Sequence, residues 1–274
     1  MLSIITGIYN QLSVNEIFYE ALVECTSLPF ELIVVDNNST DGSHDYFKEK
    51  DNVTIINTGA NFNYPYCQNL GIKYAKYDLL CFFNNDAIPS KEWDIRMIDI
   101  LYKNIGIEAL SFASNDHLAN IAAHRKISKR WKRIKYPIQY TLGNTKFALK
   151  LMLKLMYGDL NKFGDARYKK FKDTIADGYS GSVIVLKRKL IDKIGLWDER
   201  IQGADYDLYN RIKEYSLKHP ETLPLRMALG IYFHHYQRLT VKVKYPPFAN
   251  LDQMVSIEDK WGDKTKELRK DINQ

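Results

Sequence analysis

Short apolar runs that end abruptly in polar clusters are what most constrain this chain. The clearest is Leu79-Leu80-Cys81-Phe82-Phe83, which passes directly into Asn84-Asn85-Asp86, with Pro89 close behind. Such a run, without polar alternation, is how a strand reads when both its faces are buried in a parallel sheet. The form recurs at LSIITGI (2–8), ELIVVD (31–36), VTIIN (53–57) and EALSFAS (108–114). Segments with helical spacing lie between. In residues 14–25, Val14, Ile17, Phe18, Ala21, Leu22 and Cys25 form one stripe, with Ser13 the expected N-cap. Further helices are expected at 44–50 and near 66–76 and 90–103. The β-α-β-α-β-α-β-α-β order predicts an α/β fold with a mostly parallel central sheet and helices on both faces.

Ligands of open α/β sheets sit in the crevice at the C-terminal strand ends. The clusters after Val35 and Phe83 therefore mark where chemistry is expected. Asp86 offers a hard oxygen to a divalent cation there, as the handling of a phosphorylated substrate requires. Asn and Asp also favour turns for local reasons, so the cluster alone leaves both readings open. The same holds for Asp36, as a site residue or the anchor of an Asx-type turn. No Gly-x-Gly-x-x-Gly and no Walker sequence follows the first strand.

The alternation stops after residue 114. Residues 117–172 hold fifteen Lys and Arg against two acids, which leaves the rest of this +6 chain net negative. This basic insert (about 117–174) contains helical stretches such as KFALKLMLKLMYG. It interleaves Trp131, Tyr136, Tyr140, Phe147, Leu151, Met152 and Leu155 with its cations, a mixture typical of interfacial segments. It reads as a solvated pair of helices, or as a surface for an anionic membrane or a phosphorylated substrate. A nucleic-acid-binding module is the rival reading, and the acidic remainder argues against nucleic acid as a partner. No apolar stretch approaches the roughly 20 residues that span a bilayer. The opening MLSIITGIYN reads as a strand rather than a leader. Cys25, Cys67 and Cys81 lack metal-ligand spacing. Together these features predict a cytoplasmic protein with reduced thiols.

The strand pattern resumes with SGSVIVLK (180–187). A helix over 188–194 ends at Gly195, and GLWDERIQGADYDLYNRIKEY, LRMALGIYFHH (225–235) and a polar helical tail from 251 follow. The expected organisation is one domain over 1–250, with a nucleotide-binding half (about 1–115), the insert and an acceptor half (about 177–240), followed by the tail at 251–274.

Four segments in this order resemble the family-2 inverting glycosyltransferases of the GT-A fold: SIITGIYN, VVDNNSTDGS, FFNNDAIP in the place of Asp-x-Asp, and GLWDERIQGADYDLYNRI. The resemblance covers residues 1–115 and 177–240. It implies sugar transfer from a nucleotide-diphosphate sugar, of the UDP or dTDP type, to a glycan or lipid-linked glycan in surface polysaccharide synthesis. It implies a divalent cation, Mn²⁺ or Mg²⁺, that stabilises charge on the departing diphosphate. Asp86 takes the place of the metal ligand, and Thr6, Asp36, Asn37, Asn63, Asn84 and Asn85 surround the nucleotide sugar. Asp205 stands at the general base, with N-capping of the following helix as its alternative role. For Asp207 capping is preferred. Ala204 replaces the Glu usual before this Asp, so sugar specificity does not carry over. One of His234 and His235 can face the site, because strand residues alternate. His234 is assigned as the second metal ligand, and His235, Trp197 and Asp207 as acceptor-side candidates. Trp261 is assigned to anchoring the tail. A sugar-phosphate nucleotidyltransferase is the alternative enzyme, but TGIYNQ lacks the Gly-rich, Arg-containing loop it needs.

Overall fold

The structure is a computed structural model that describes residues 1–118, 120–237, 239 and 246–269. Its first part alternates as the sequence predicts: β1 (Leu2–Ile8), α1 (Leu12–Cys25), β2 (Phe30–Asp36), α2 (Ser43–Lys48), β3 (Val53–Asn57), α3 (Tyr64–Tyr74) and β4 (Leu79–Phe83). A three-residue strand, β5 (Ala87–Pro89), precedes α4 (Trp93–Lys103) and β6 (Ala109–Ser114). The insert is three helices: α5 (Ile121–Leu142), α6 (Lys146–Tyr157) and α7 (Leu160–Phe171). Then come β7 (Ile175–Asp177), β8 (Val183–Lys187), α8 (Arg188–Ile194), α9 (Ala204–Lys218) and β9 (Arg226–His235). The tail holds α10 (Ile257–Trp261) and α11 (Lys264–Leu268).

All of the described strands join one sheet in the order β3-β2-β1-β4-β8-β6-β9-β5, with β7 also on β9. Strands β3, β2, β1 and β4 are parallel. Strand β8 runs antiparallel between β4 and β6, and β9 is parallel to β6. Strands β5 and β7 both run antiparallel to β9. The parallel strands fall within the segment expected to form the nucleotide-binding half, and β8 makes the sheet as a whole mixed.

Each face of the sheet has its own core. One gathers Phe18, Phe83, Trp93, Phe112, Trp131 and Phe233 under α1, α4 and the insert, and the other gathers Ile5, Phe82, Trp197 and Leu208 under α3, α8 and α9. Helix α3 approaches β1 so closely that a Cβ on Gly71 would lie 2.3 Å from Ile5 Cγ2. The insert is bound to the sheet rather than solvated all round. Arg167 Nε donates to the Leu229 carbonyl at 2.6 Å, Tyr236 Oη donates to the Leu149 carbonyl at 2.9 Å, and Lys146 pairs with Glu16 and Glu20. The expected Ser13 cap is displaced: α1 begins at Leu12, whose N–H donates to Asp41 Oδ2 at 2.8 Å. A carboxylate from the loop after β2 caps this helix, which a local reading cannot see. All three cysteines are free and buried, and burial pushes the Cys25 and Cys67 thiols up to about 12, which leaves them unreactive.

Candidate active site

The short strand β5 explains how the site assembles. It pairs with the end of β9, Ala87 opposite His235 and Ile88 opposite His234, and the Tyr236 N–H donates to the Asp86 carbonyl. That pairing sets the Asp86 carboxylate against one histidine: His235 Nε2 lies 3.0 Å from Asp86 Oδ1. Its Nδ1 lies 2.9 Å from Asp116 Oδ2. Burial alone would lower the pKa of this imidazole, but the charge of Asp86 and the bonds to both carboxylates outweigh it and push it up to about 10.

His234 points to the opposite face, contrary to the expectation that set it beside Asp86; the histidine that meets that carboxylate is His235. The ring of His234 is fully buried, with Nδ1 2.9 Å from the Tyr157 hydroxyl and Trp131 edge-on at 4.5 Å.

The donor set fits a divalent cation. A carboxylate oxygen and an imidazole nitrogen lie together, both partly accessible, in ligand types that Mn²⁺ accepts once the imidazolium has given up its Nε2 proton. The other ring nitrogen is held by the Asp116 carboxylate, the kind of contact that orients ligating histidines. Among the described residues no group of three such side chains surrounds a metal position.

Asp205 lies at the start of α9, partly accessible, beside the loop between β7 and β8. That loop is held by a chain of hydroxyls, Ser114 to Ser180 at 3.1 Å and Ser180 to Ser182 at 3.0 Å. Burial pushes the Asp205 carboxyl above the usual carboxylate range, although the backbone N–H groups of Tyr206 and Asp205 pull the other way. A raised carboxylate pKa suits a general base.

A cleft of about 260 Å³ is lined by Asp205, His235, Asn84, Asp116, Ser182 and Gln202, among others. Gln202 and Tyr64 also border a cavity of about 390 Å³, walled by Gly7, Ile8, Tyr9, Asn37, Phe62 and Phe248. Asp116 and Asp205 border a third, of about 370 Å³, with Tyr179, Tyr206 and Arg269. The spaces share walls along the C-terminal ends of β1, β2 and β4, where the sequence placed the chemistry.

Other expected site residues take structural roles. Thr6 is fully buried within β1 and is not among the residues lining the nucleotide-side cavity; Gly7 beside it is. The Asp36 carboxylate is fully engaged, accepting from the Ser39 N–H at 2.9 Å and contacting His44 Nδ1 at 2.9 Å. Asn37 reaches the cavity wall, but its Nδ2 donates to the Phe62 carbonyl and its Oδ1 accepts the Phe62 N–H. Asn63 caps α3 and donates to the Glu199 carbonyl, and Asn85 donates to Asn15 on α1. Trp197 is buried edge-on to Tyr64 and Phe82. Asp207 binds Arg211, Lys260 and Trp261 Nε1, which locks the tail against α9, as expected for Trp261; it does not cap the helix start, contrary to expectation, because these partners take its carboxylate. Sequence reasoning missed Asp116, Gly181 and Arg269, none of which belongs to a recognisable local motif.

A sheet of this order, with carboxylates and a histidine gathered at its strand ends, defines the GT-A class of glycosyltransferases. The sequence profile of glycosyl transferase family 2 matches residues 3–195, and the chain belongs to that family. No curated protein sequence matches it. Among solved structures it resembles the mannosyltransferase PcManGT from Pyrobaculum calidifontis in complex with GDP-Man and Mn²⁺ (15% identity, TM-score 0.56, covering 89% of this chain and 58% of that one). It also resembles S. aureus TarS 1–349 in complex with UDP (16% identity, TM-score 0.51, 85% and 60%). A third similar structure is GalNAc-T7 with UDP, GalNAc and Mn²⁺ (12% identity, TM-score 0.62, 100% and 55%). The chain thus spans somewhat more than half the length of each, and at these identities the likeness is one of fold.

Proposed function

We propose that this protein is a divalent-cation-dependent, inverting hexosyl- or related transferase. It moves a sugar from a UDP- or dTDP-type donor to a hydroxyl of a glycan or lipid-linked glycan in surface polysaccharide synthesis, at the cytoplasmic face of the membrane. The observation that carries this reading is a cleft lined by His235 and Asp205, with the Asp86 carboxylate 3.0 Å from that histidine, beside a cavity walled by the β1 and β2 strand ends. Family membership displaces the nucleotidyltransferase alternative.

Asp86 and His235 would hold the cation, which supplies charge neutralisation for the departing diphosphate. The 390 Å³ cavity takes the nucleoside, with the aromatic Phe62–Tyr66 stack supporting its wall. Asp205 accepts the proton of the acceptor hydroxyl as that oxygen attacks the anomeric carbon. A single base serves a single displacement, so the anomeric configuration inverts. The test is a thermal-shift panel of nucleoside diphosphates and nucleotide sugars with and without Mn²⁺, since a ligand that binds the native state raises its midpoint by mass action. Stabilisation by one nucleotide diphosphate that depends on Mn²⁺ or Mg²⁺ is expected. No stabilisation by any member would overturn the reading. NMR coupling constants of the product test inversion.

A further inference from the structure

We propose that the outward face of α5, continued by the turn into α6, docks this protein on an anionic lipid bilayer. Arg125, Lys129, Arg133, Tyr136 and Tyr140 recur at three- and four-residue spacing and so share one helix face. The opposite face, with Ile127, Trp131, Ile134 and Ile138, packs into the core.

Two independent features of the outward face point to lipid. The first is uncompensated charge. Lys146 and Lys150 are neutralised by Glu16 and Glu20, and Arg130 is tied to the Leu155 carbonyl. Among the described residues, Arg125, Lys126, Lys129, Lys132 and Arg133 have no acidic partner within ion-pair distance. The second is exposed apolar surface: Tyr136 and Tyr140 on that face, and Leu142 and Phe147 at either end of the turn into α6. Tyr140 is 84% exposed, Phe147 68%, Tyr136 53% and Leu142 40%. Single exposed apolar residues are ordinary, but a group beside a row of cations is the composition of an interfacial helix. A phosphorylated glycan or a nucleic acid would satisfy the cations and leave Leu142 and Phe147 in water. A bilayer takes both, with tyrosines at headgroup level and the aliphatic and phenyl groups below.

The docked face also leads to the reacting groups. A groove of about 780 Å³ along α5 and a cavity of about 470 Å³ that ends on Asp116 and His235 share His124, Ser128, Lys132 and Tyr136 as walls. A lipid-borne acceptor would therefore enter beside the proposed metal ligands without leaving the membrane surface. No helix among the described residues is long and apolar enough to cross a membrane, so this attachment is peripheral. The choice of acceptor rests on the proposed function; the docking itself does not.

Flotation with vesicles tests it. The protein should float with vesicles of equal parts phosphatidylglycerol and phosphatidylcholine, not with phosphatidylcholine alone, and should be released by high salt. Replacing Arg125, Lys129, Lys132 and Arg133 together by Gln should lower partitioning by at least about tenfold, with an unchanged melting midpoint because these side chains are exposed. Tyr140→Ser with Phe147→Ser should weaken it too, and the emission of a Tyr140→Trp variant should shift to the blue on anionic vesicles only. An Asp86→Ala variant should float like the wild type, which separates docking from the catalytic reading. The proposal is overturned if the protein ignores anionic vesicles at low salt, or if the fourfold Gln variant floats unchanged. It is equally overturned if α5 proves to bind only a soluble polyanion such as polyphosphate.

Discussion

Gly181 lies so close to Asp205 that a Cβ at position 181 would sit 2.3 Å from Asp205 Oδ2 and 2.9 Å from its Cγ. The carboxylate proposed as base is thus positioned by the absence of a side chain on the neighbouring loop. Gly181→Ala has to turn the Asp205 carboxylate out of its place. Transfer should fall by about 10²-fold or more, near the loss expected for removing a general base. Affinity for nucleoside diphosphate with Mn²⁺, measured by calorimetry, should stay near wild type. Full turnover in this variant would exclude Asp205 as the base.

The pH dependence follows from the same carboxylate. A base works only when deprotonated, and burial raises the Asp205 pKa above the ordinary carboxylate range. The acid limb of kcat should therefore lie at higher pH than for an exposed Asp, with activity lost as pH falls through that raised pKa. Asp205→Asn should lower kcat about 10²–10⁴-fold. A wild-type profile flat down to pH 4 would contradict the assignment.

The two histidines should separate cleanly. Asp86→Ala and His235→Ala should each abolish metal-dependent nucleotide binding. His234→Leu should leave that binding intact and lower the melting midpoint, because it removes a buried ring bonded to Tyr157. Asp116→Asn, which alters only the group orienting His235, should weaken metal affinity about 10–100-fold. Equal loss of metal binding in the His234 and His235 variants would refute this division.

A purely structural ion group offers a control. Glu108, 5% exposed, binds Lys189 and Lys193 at 2.8 Å. Burial alone would raise its pKa, but bonds to the two lysines hold it below the usual value. A depressed folded-state pKa gives stability that is present above the unfolded pKa of about 4.3. That stability is lost as pH falls through the lower folded value. Both lysines are partly in solvent, so Glu108→Gln should cost on the order of 1 kcal/mol at pH 7. The difference should vanish in acid, as chemical denaturation across pH would show.

Much of this architecture could be read from the sequence because it rests on local signals. The strands at 2–8, 53–57 and 79–83 fall where the apolar runs place them: β1 and β4 are buried on both faces, and β3, at the sheet edge, is half-buried. Chain order and strand ends were enough to bring Asp86 and Asp205 to the same end of the sheet, as the structure has them. What failed depended on pairing partners. Alternation requires that one of His234 and His235 face the cleft, but β5 decides which, and three residues ending in proline carry no strand signal. Asp116 becomes visible only once β6 and β9 are known to be neighbours. Asn63 and Asn85 lie in site-like sequence, yet their amides are bound to Glu199 and Asn15, contacts made between distant segments.

Strand β8 sits between β4 and β6 although the whole basic insert precedes it in the chain. During synthesis, β1 to β4 are complete long before residues 183–187 emerge. Until then Leu79–Phe83, an uncharged apolar strand, presents a bare edge to solvent, the feature that most readily recruits other chains. Any fragment that stops short of residue 183 keeps that edge uncovered, however complete its nucleotide half. Such fragments should collect in inclusion bodies, whereas release of the nascent chain past β8 closes the vulnerable interval.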